Sequence, residues 1–238
     1  MLPWLYPETC QLCGLPTGGG TLCPACLAGL PRVPRPICLY CGAPTGSDVT
    51  APDRCPACAA RPHRLAFIRS ALTFSPQLMS LVHDLKYHGA NHLAPALAPV
   101  LAELWEQTPQ LRAFDDWVLV PVPITHRKLY RRGYNQAEEL ARALSRLRGG
   151  LPLLQPLRRI ETGIESQTRL SAGLREKNAH CAYVVRTLYA KHRRKLPPHL
   201  LLIDDVHTTG ATLRACAAAL KRVNPKVTVA ALTLMRME

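Results

Sequence analysis

The stretch Leu200-Leu201-Leu202-Ile203-Asp204-Asp205-Val206-His207-Thr208-Thr209-Gly210-Ala211-Thr212 decides the fold. Four consecutive apolar residues suit a strand buried on both faces of a parallel sheet. Two adjacent carboxylates follow, where that strand is expected to end. A run of small residues then leads into a helix with Leu213, Cys216, Leu220 and Val223 on one face. Ligands of open α/β sheets bind beyond the carboxyl ends of the strands. Thr208, Thr209, Gly210, Ala211 and Thr212 can turn backbone N–H groups and hydroxyls toward one anion, helped by the positive end of the following helix. A loop holding a phosphate beside carboxylates holding a polyol would suit a sugar phosphate. The Gly-Lys-Ser/Thr ending of a nucleotide-triphosphate loop is missing, so triphosphate hydrolysis is not expected.

Outward from this unit, strands and helices alternate. Strand patterns cover 65–74, 117–122, 153–157, 182–185 and 227–234, and helical patterns cover 78–87, 92–107 and 135–147. This predicts an α/β fold with a mostly parallel sheet and helices on both faces. No apolar run reaches the ~18 residues of a membrane span, so no membrane insertion is expected.

The amino-terminal part reads differently. Cys10 and Cys13, Cys23 and Cys26, Cys38 and Cys41, and Cys55 and Cys58 form four Cys-x-x-Cys pairs. Two such pairs complete a tetrahedral site, and four thiolates leave no open position, so two structural Zn²⁺ ions are expected. Disulfides are the alternative. Met1-Leu2-Pro3-Trp4 lacks the charged start and apolar run of a signal peptide. A cytoplasmic, reducing setting then favours metal. Consecutive pairing would place the first four cysteines on one zinc and the last four on the other, although the spacing admits a cross-braced pairing too. Residues 1–62, rich in Pro, Gly and Cys, are read as a metal-dependent small domain and 63–238 as the α/β domain.

Charge is uneven. The chain carries a net +14, yet seventeen basic and only five acidic side chains lie between Arg127 and Lys195. Metallated all-cysteine sites would make the amino-terminal part slightly acidic. The basic surplus suits a polyphosphate accompanied by Mg²⁺, with enough left for a second anionic partner such as single-stranded DNA. A merely soluble basic surface fits the count equally well. Tyr130, Tyr134 and Tyr189 are the aromatic residues there that could stack on bases.

Three motifs lie in this stretch. Pro121-Val122-Pro123 stiffens a strand exit. Arg131 and Arg132 are candidate phosphate ligands in a basic turn, before Asn135 as a helix N-cap with Glu138 completing a capping box. Residues 162–178, with Arg169 and Arg175, are polar and weakly periodic, which suits a lid over a charged substrate or a plain surface loop. Cys181 and Cys216 read as core cysteines, and His207 as neutral and structural.

The Asp204–Thr212 segment resembles the phosphoribosyl-diphosphate (PRPP) signature of type I phosphoribosyltransferases. That resemblance implies acidic residues on the ribose hydroxyls, a Thr/Gly loop on the 5′-phosphate and pyrophosphate beside Pro121, Val122 and Pro123. The four Cys pairs, Lys86-Tyr87-His88, Pro121-Val122-Pro123, Arg131-Arg132-Gly133-Tyr134-Asn135-Gln136, Ser166-Gln167-Thr168 through Arg175 to Asn178, and Asp204 to Gly210 together resemble the ComF (competence protein F) family over nearly the whole chain. This resemblance implies a double zinc ribbon joined to a phosphoribosyltransferase-like domain, with Asp204 and Asp205 as catalytic residues. It also implies that Lys86, Arg131, Arg132, Arg169 and Arg175 contact PRPP, and a link to DNA uptake or the use of external DNA as a nutrient. The DNA-uptake machinery would then be a partner. The amine-transferring relatives carry an amino-terminal cysteine nucleophile, whereas position 2 here is Leu, so glutamine-dependent amination is not expected.

Overall fold

The computed structural model describes residues 9–46, 54–60, 64–87, 89–160, 182–190 and 195–237. Two short helices, α1 (Pro24–Ala28) and α2 (Pro56–Ala59), each begin with a proline directly after a cysteine. The rest follows as β1 (Ile68–Thr73), α3 (Pro76–Tyr87), α4 (Leu93–Glu106), α5 (Pro109–Arg112), β2 (Trp117–Pro121), α6 (His126–Arg132) and α7 (Gln136–Leu147). Then come β3 (Leu157–Arg159), β4 (Tyr183–Val185), α8 (Thr187–Ala190), β5 (His199–His207), α9 (Ala211–Val223) and β6 (Thr228–Arg236).

The main sheet has the order β1-β6-β5-β2 and every neighbouring pair is parallel. In register, Leu119 faces Leu201, and Leu201 faces Ala230. β3 and β4 pair antiparallel as a separate two-stranded ribbon. Alternation explains the apolar run in β5. Leu201 and Ile203 join a core with α3, α4 and α7, while Leu200 and Leu202 join a second core with α9, Leu157 and Tyr183. All four are fully buried, so the sheet is covered on both faces as the sequence pattern requires. The α/β class with a mostly parallel sheet is therefore observed.

Three local readings change. β5 does not stop before the carboxylates but runs on to His207, because β6 stays paired alongside it, with His207 opposite Arg236. The basic turn at 126–132 is a helix, α6. The Thr125 side chain accepts from the Lys128 N–H at its start, and Gly133, at φ 82°, closes it. Asn135 does cap α7, accepting from the Ala137 N–H at 3.2 Å, but Glu138 pairs with Arg142 instead of completing the box.

The cysteine-rich segment shares the core of the sheet. Leu30 is buried in the α3–α4 cluster, with Leu12, Leu22 and Leu27 packed against it. Beyond Leu30 the chain runs along β1. The Val33 N–H donates to Ala71 C=O at 3.1 Å, and the Thr73 N–H donates to Pro31 C=O at 2.9 Å. Further on, the Ile68 N–H donates to Tyr40 C=O at 2.6 Å. Gly42 seats this contact: at φ +66° it lies so close that a Cβ would stand 2.8 Å from the Ile68 carbonyl oxygen.

Candidate functional site

The four cysteine pairs form two clusters, Cys10, Cys13, Cys23 and Cys26 in one, Cys38, Cys41, Cys55 and Cys58 in the other. Within each, all sulfurs lie within 4.8 Å of one another, and Cys13–Cys23 and Cys41–Cys55 stand 3.8 and 3.7 Å apart. Sulfurs about 2.3 Å from a tetrahedral zinc would be separated by about this much. The pairing is consecutive, not cross-braced. No described cysteine is in a disulfide. Each knuckle turns backbone N–H groups on sulfur: Cys26 N–H to Cys23 Sγ and Cys55 N–H to Cys38 Sγ, both at 3.4 Å. Burial pushes the Cys10 thiol up, but N–H groups of Cys23, Cys13 and Leu12 more than offset this and hold it near 6. Cys26 is pushed up to about 12 by hydrogen bonds with the Cys23 and Cys13 sulfurs. Four crowded sulfurs thus resist a second negative charge, and a divalent cation relieves that resistance. The donor sets fit two structural Zn²⁺ ions.

At the carboxyl edge of the sheet, Asp204 and Asp205 are both buried. They are adjacent in a strand, yet their carboxyl groups converge. Asp204 Oδ1 accepts the Asp205 N–H at 2.9 Å, and the two side chains also hydrogen-bond each other. Asp205 Oδ1 accepts the Val206 N–H at 3.0 Å, while Oδ2 meets Lys86 Nζ at 2.8 Å. Burial first, and the Asp205 charge second, push the Asp204 carboxyl well above the usual range. The arrangement is a buried carboxyl pair in which Asp204 gives up its proton less readily than an ordinary carboxyl, with one cation against Asp205.

The loop after the pair is held from behind. Gly210 takes φ 71° and opens α9, and the Ala211 N–H approaches Thr209 Oγ1 at 3.4 Å. Arg214 Nη1 donates to Thr209 C=O at 2.7 Å. The Thr212 side chain bonds the Tyr183 hydroxyl, whose ionisation burial pushes up to about 12. His207 is buried behind the loop and held down near 3 by burial, then by Arg236 and Arg214, so its ring is neutral. Its Nδ1 accepts from Arg236 Nη1 at 3.0 Å, and its Nε2 faces Gly210, where a Cβ would lie 2.9 Å away. Arg236 Nη1 also donates to Cys41 C=O at 2.9 Å. A metal-ligating knuckle and the loop are therefore linked through one guanidinium and one imidazole, a relation with no signal in the sequence.

Pro121 ends β2, and Val122 continues as a buried exit whose N–H donates to Ile203 C=O at 2.9 Å. Asn135 Nδ2 donates to Val122 C=O at 3.0 Å, fixing the segment that leads through Pro123. Arg131 and Arg132 end α6 and lie 5.9 and 4.7 Å from the Tyr87 ring centre, next in sequence to Lys86. Arg132 also donates to Gln136 Oε1. The structure thus gathers Lys86, Arg131 and Arg132 on the α3–α6 side of the carboxylates. Arg169, Arg175, His88, Cys181 and the candidate lid lie outside the described residues. Cys216 is buried as expected. Of the three tyrosines, Tyr130 is 94% exposed, Tyr189 is buried and the Tyr134 hydroxyl donates to Leu85 C=O at 2.7 Å, leaving Tyr130 alone open for stacking. A groove beside Pro121 and Pro123 collects Arg158, Arg159 and Arg186. Among the described residues, no helix is long and apolar enough to cross a membrane.

Comparison with known proteins bears on this arrangement. The family profile of the double zinc ribbon domain matches residues 1–59. The chain is 31% identical over 174 residues to the DNA utilization protein YhgH of Salmonella typhimurium, which covers 71% of each chain. It is 30% identical over 238 residues to the DNA utilization protein YhgH of Escherichia coli, covering 91% of this chain and 92% of that one. The competence protein ComFC of Bacillus subtilis is 27% identical over 168 residues, 71% of this chain and 63% of its own length. With the two Cys₄ clusters and the parallel α/β core behind them, the chain belongs to the ComF family of zinc-ribbon, phosphoribosyltransferase-like proteins.

Proposed function

We propose that this protein binds PRPP and transfers its phosphoribosyl group to an acceptor. The observation that carries the reading is the buried Asp204–Asp205 pair, with Lys86 against it, leading directly into the Gly210 loop at the start of α9. Two converging carboxyls can accept from vicinal ribose hydroxyls. Thr208, Thr209, Ala211, Thr212 and the first N–H groups of α9 can receive the 5′-phosphate. Pyrophosphate would lie by Pro121–Pro123, near Arg131 and Arg132, with Arg169 and Arg175 as further ligands. Mg²⁺ brought with the substrate would offset part of the pyrophosphate charge. In the transfer, the acceptor's lone pair forms a bond to ribose C1 as the C1–O bond to pyrophosphate breaks. Asp204 and Asp205 hold the ring and favour its growing positive charge, so they are the catalytic candidates. The residues 1–62 and 63–238 are taken as the two working parts, and the reduced cysteines support a cytoplasmic setting.

A second reading is binding of single-stranded DNA without transfer. It is favoured by the Arg158, Arg159 and Arg186 groove and by relatives whose names refer to DNA utilization and competence. On this reading the DNA-uptake machinery is the partner. Calorimetry with PRPP and Mg²⁺, repeated with single-stranded DNA, separates the two. Saturable PRPP binding that Asp205→Ala weakens by about 1–3 kcal/mol supports transfer chemistry. Unchanged PRPP affinity in the Asp204/Asp205 double alanine variant removes the site. DNA affinity that falls steeply with salt and drops on changing Arg158, Arg159 and Arg186 to Glu supports the second.

A further inference from the structure

Arg236 closes β6 and stands between the second ribbon and the loop that follows β5. In the sheet it lies opposite Thr73 on one side and His207 on the other. A single nitrogen, Nη1, donates both to Cys41 C=O at 2.9 Å and to His207 Nδ1 at 3.0 Å. A guanidinium has only donors, so Nδ1 must accept, and the proton of the neutral ring sits on Nε2. Nε2 is the atom turned to Gly210. The ring is buried behind the loop, so its orientation decides where Gly210 and the first N–H groups of α9 can stand.

The other end of the link depends on metal. Cys41 lies in a tight turn, where the Gly42 N–H donates to Cys38 C=O at 2.9 Å and the Tyr40 C=O accepts the Ile68 N–H at 2.6 Å. The backbone thus ties this residue to β1, and ligation through Sγ would hold it from the other side. A Cys₄ centre with one Zn²⁺ also carries two net negative charges, which attract the Arg236 cation. Protonated thiols would offer neither. The first cluster has different neighbours. Gln11 Nε2 meets His92 Nε2 at 3.1 Å beside the start of α4, and Leu12, Leu22 and Leu27 pack against the core of α3 and α4.

We infer that Arg236 is a positioning residue for the loop 208–212, acting through His207, and that metal in the second cluster, not the first, sets how well this loop holds its anion. The inference rests on the reading of the loop as the PRPP phosphate site. The two ribbons then do unlike work: the first anchors α4, and the second tunes the loop.

The test uses full-length, zinc-loaded protein beside Arg236→Met, His207→Gln, Cys55→Ser and Cys26→Ser. Each cysteine variant should lose one zinc, and Arg236→Met none. Nitrogen NMR signals of the His207 ring should place its proton on Nε2 in the parent and show mixed tautomers in Arg236→Met, a change that lost packing alone does not produce. Amide hydrogen exchange over 208–214 should quicken about tenfold in Arg236→Met and Cys55→Ser and keep the parent rate in Cys26→Ser, with Leu200–Ile203 protected throughout. PRPP affinity should fall about tenfold in the same two variants and hold in Cys26→Ser. On a His207→Gln background, Arg236→Met should weaken PRPP no further. Unchanged ring signals in Arg236→Met, unchanged loop exchange in Cys55→Ser, equal loosening by the two cysteine variants, or additive losses in the double variant overturns the inference. Cys55→Ser keeps Arg236 in place, so the test stands even where Arg236→Met does not fold. A parent that binds no PRPP overturns the PRPP reading, while ring signals and loop exchange still decide the role of Arg236.

Discussion

Lys86 Nζ stands 2.8 Å from Asp205 Oδ2, tying the last turn of α3 to the carboxyl end of β5 across the mouth of the candidate site. The pair is mostly sheltered, at 24% and 6% side-chain exposure, so it is worth more than a surface ion pair. Lys86→Met leaves two adjoining carboxyls with no cation on Asp205. We expect a loss of about 1–3 kcal/mol in urea unfolding, together with weaker PRPP binding. An unchanged unfolding midpoint would show that the contact carries no stability.

Asp204 predicts the opposite sign. Burial and Asp205 raise its folded-state pKa above the unfolded value, so the native state holds the extra proton. That contribution is fully present below the unfolded pKa and is lost as pH rises through the raised folded pKa. Asp204→Asn removes the penalty. The variant is expected to melt higher than the parent at neutral pH, to lose that pH dependence, and to bind PRPP poorly. Thermal melts of both proteins across pH, with one titration of PRPP, check all three.

His207 acts at the acid end. Its folded pKa, held near 3 by burial, lies below the unfolded value near 6.5. Its contribution is complete above the unfolded pKa and is lost as pH falls from there toward the folded one. The slope is at most about 1.4 kcal/mol per pH unit. His207→Gln should flatten this limb of the stability curve. Its persistence at full slope would assign the limb to other groups.

Gly210 is a backbone prediction. Its φ of 71° and the 2.9 Å approach to His207 Nε2 leave no room for a methyl group. Gly210→Ala is expected to cost roughly 1–2 kcal/mol from the left-handed conformation alone. It should weaken anion binding further by moving the loop, as read by the PRPP titration. Equal affinity in the variant would separate the loop from the ligand.

Metal analysis of protein purified without chelator should give close to two zinc ions per chain. Cys38→Ser should remove one. Because Pro31, Val33 and Tyr40 bond to β1, that variant is expected to lower the melting point of the α/β core as well. Stoichiometric disulfides with no metal would contradict the assignment.

The sequence carried the local patterns well and the long-range ones poorly. Runs such as Leu200–Ile203 report burial on both faces, because every neighbour of a central strand is apolar. Cysteine spacing reported both metal clusters, because a knuckle turn has a fixed length. β5 was read as ending at its first carboxylates, since polarity hides a ladder that β6 maintains out to Arg236. α6 was missed because its seven residues are mostly basic and bury none of their side chains. Resemblance gave Lys86 only as a PRPP ligand, and neither its pair with Asp205 nor the Cys41–Arg236–His207 link has any local signal. Such contacts join positions far apart in the chain, and no periodicity marks them.

The ribbon backbone that lies along β1 has a consequence for the fate of the protein without metal. β1 is an outer strand, and residues 31–33 and Tyr40 occupy hydrogen-bonding groups that would otherwise be open. An open strand margin is a template for another chain. Chelation would therefore do more than loosen two small knuckles. It would bare an adhesive border on an otherwise folded molecule, and precipitation would precede unfolding, making zinc supply a condition of solubility.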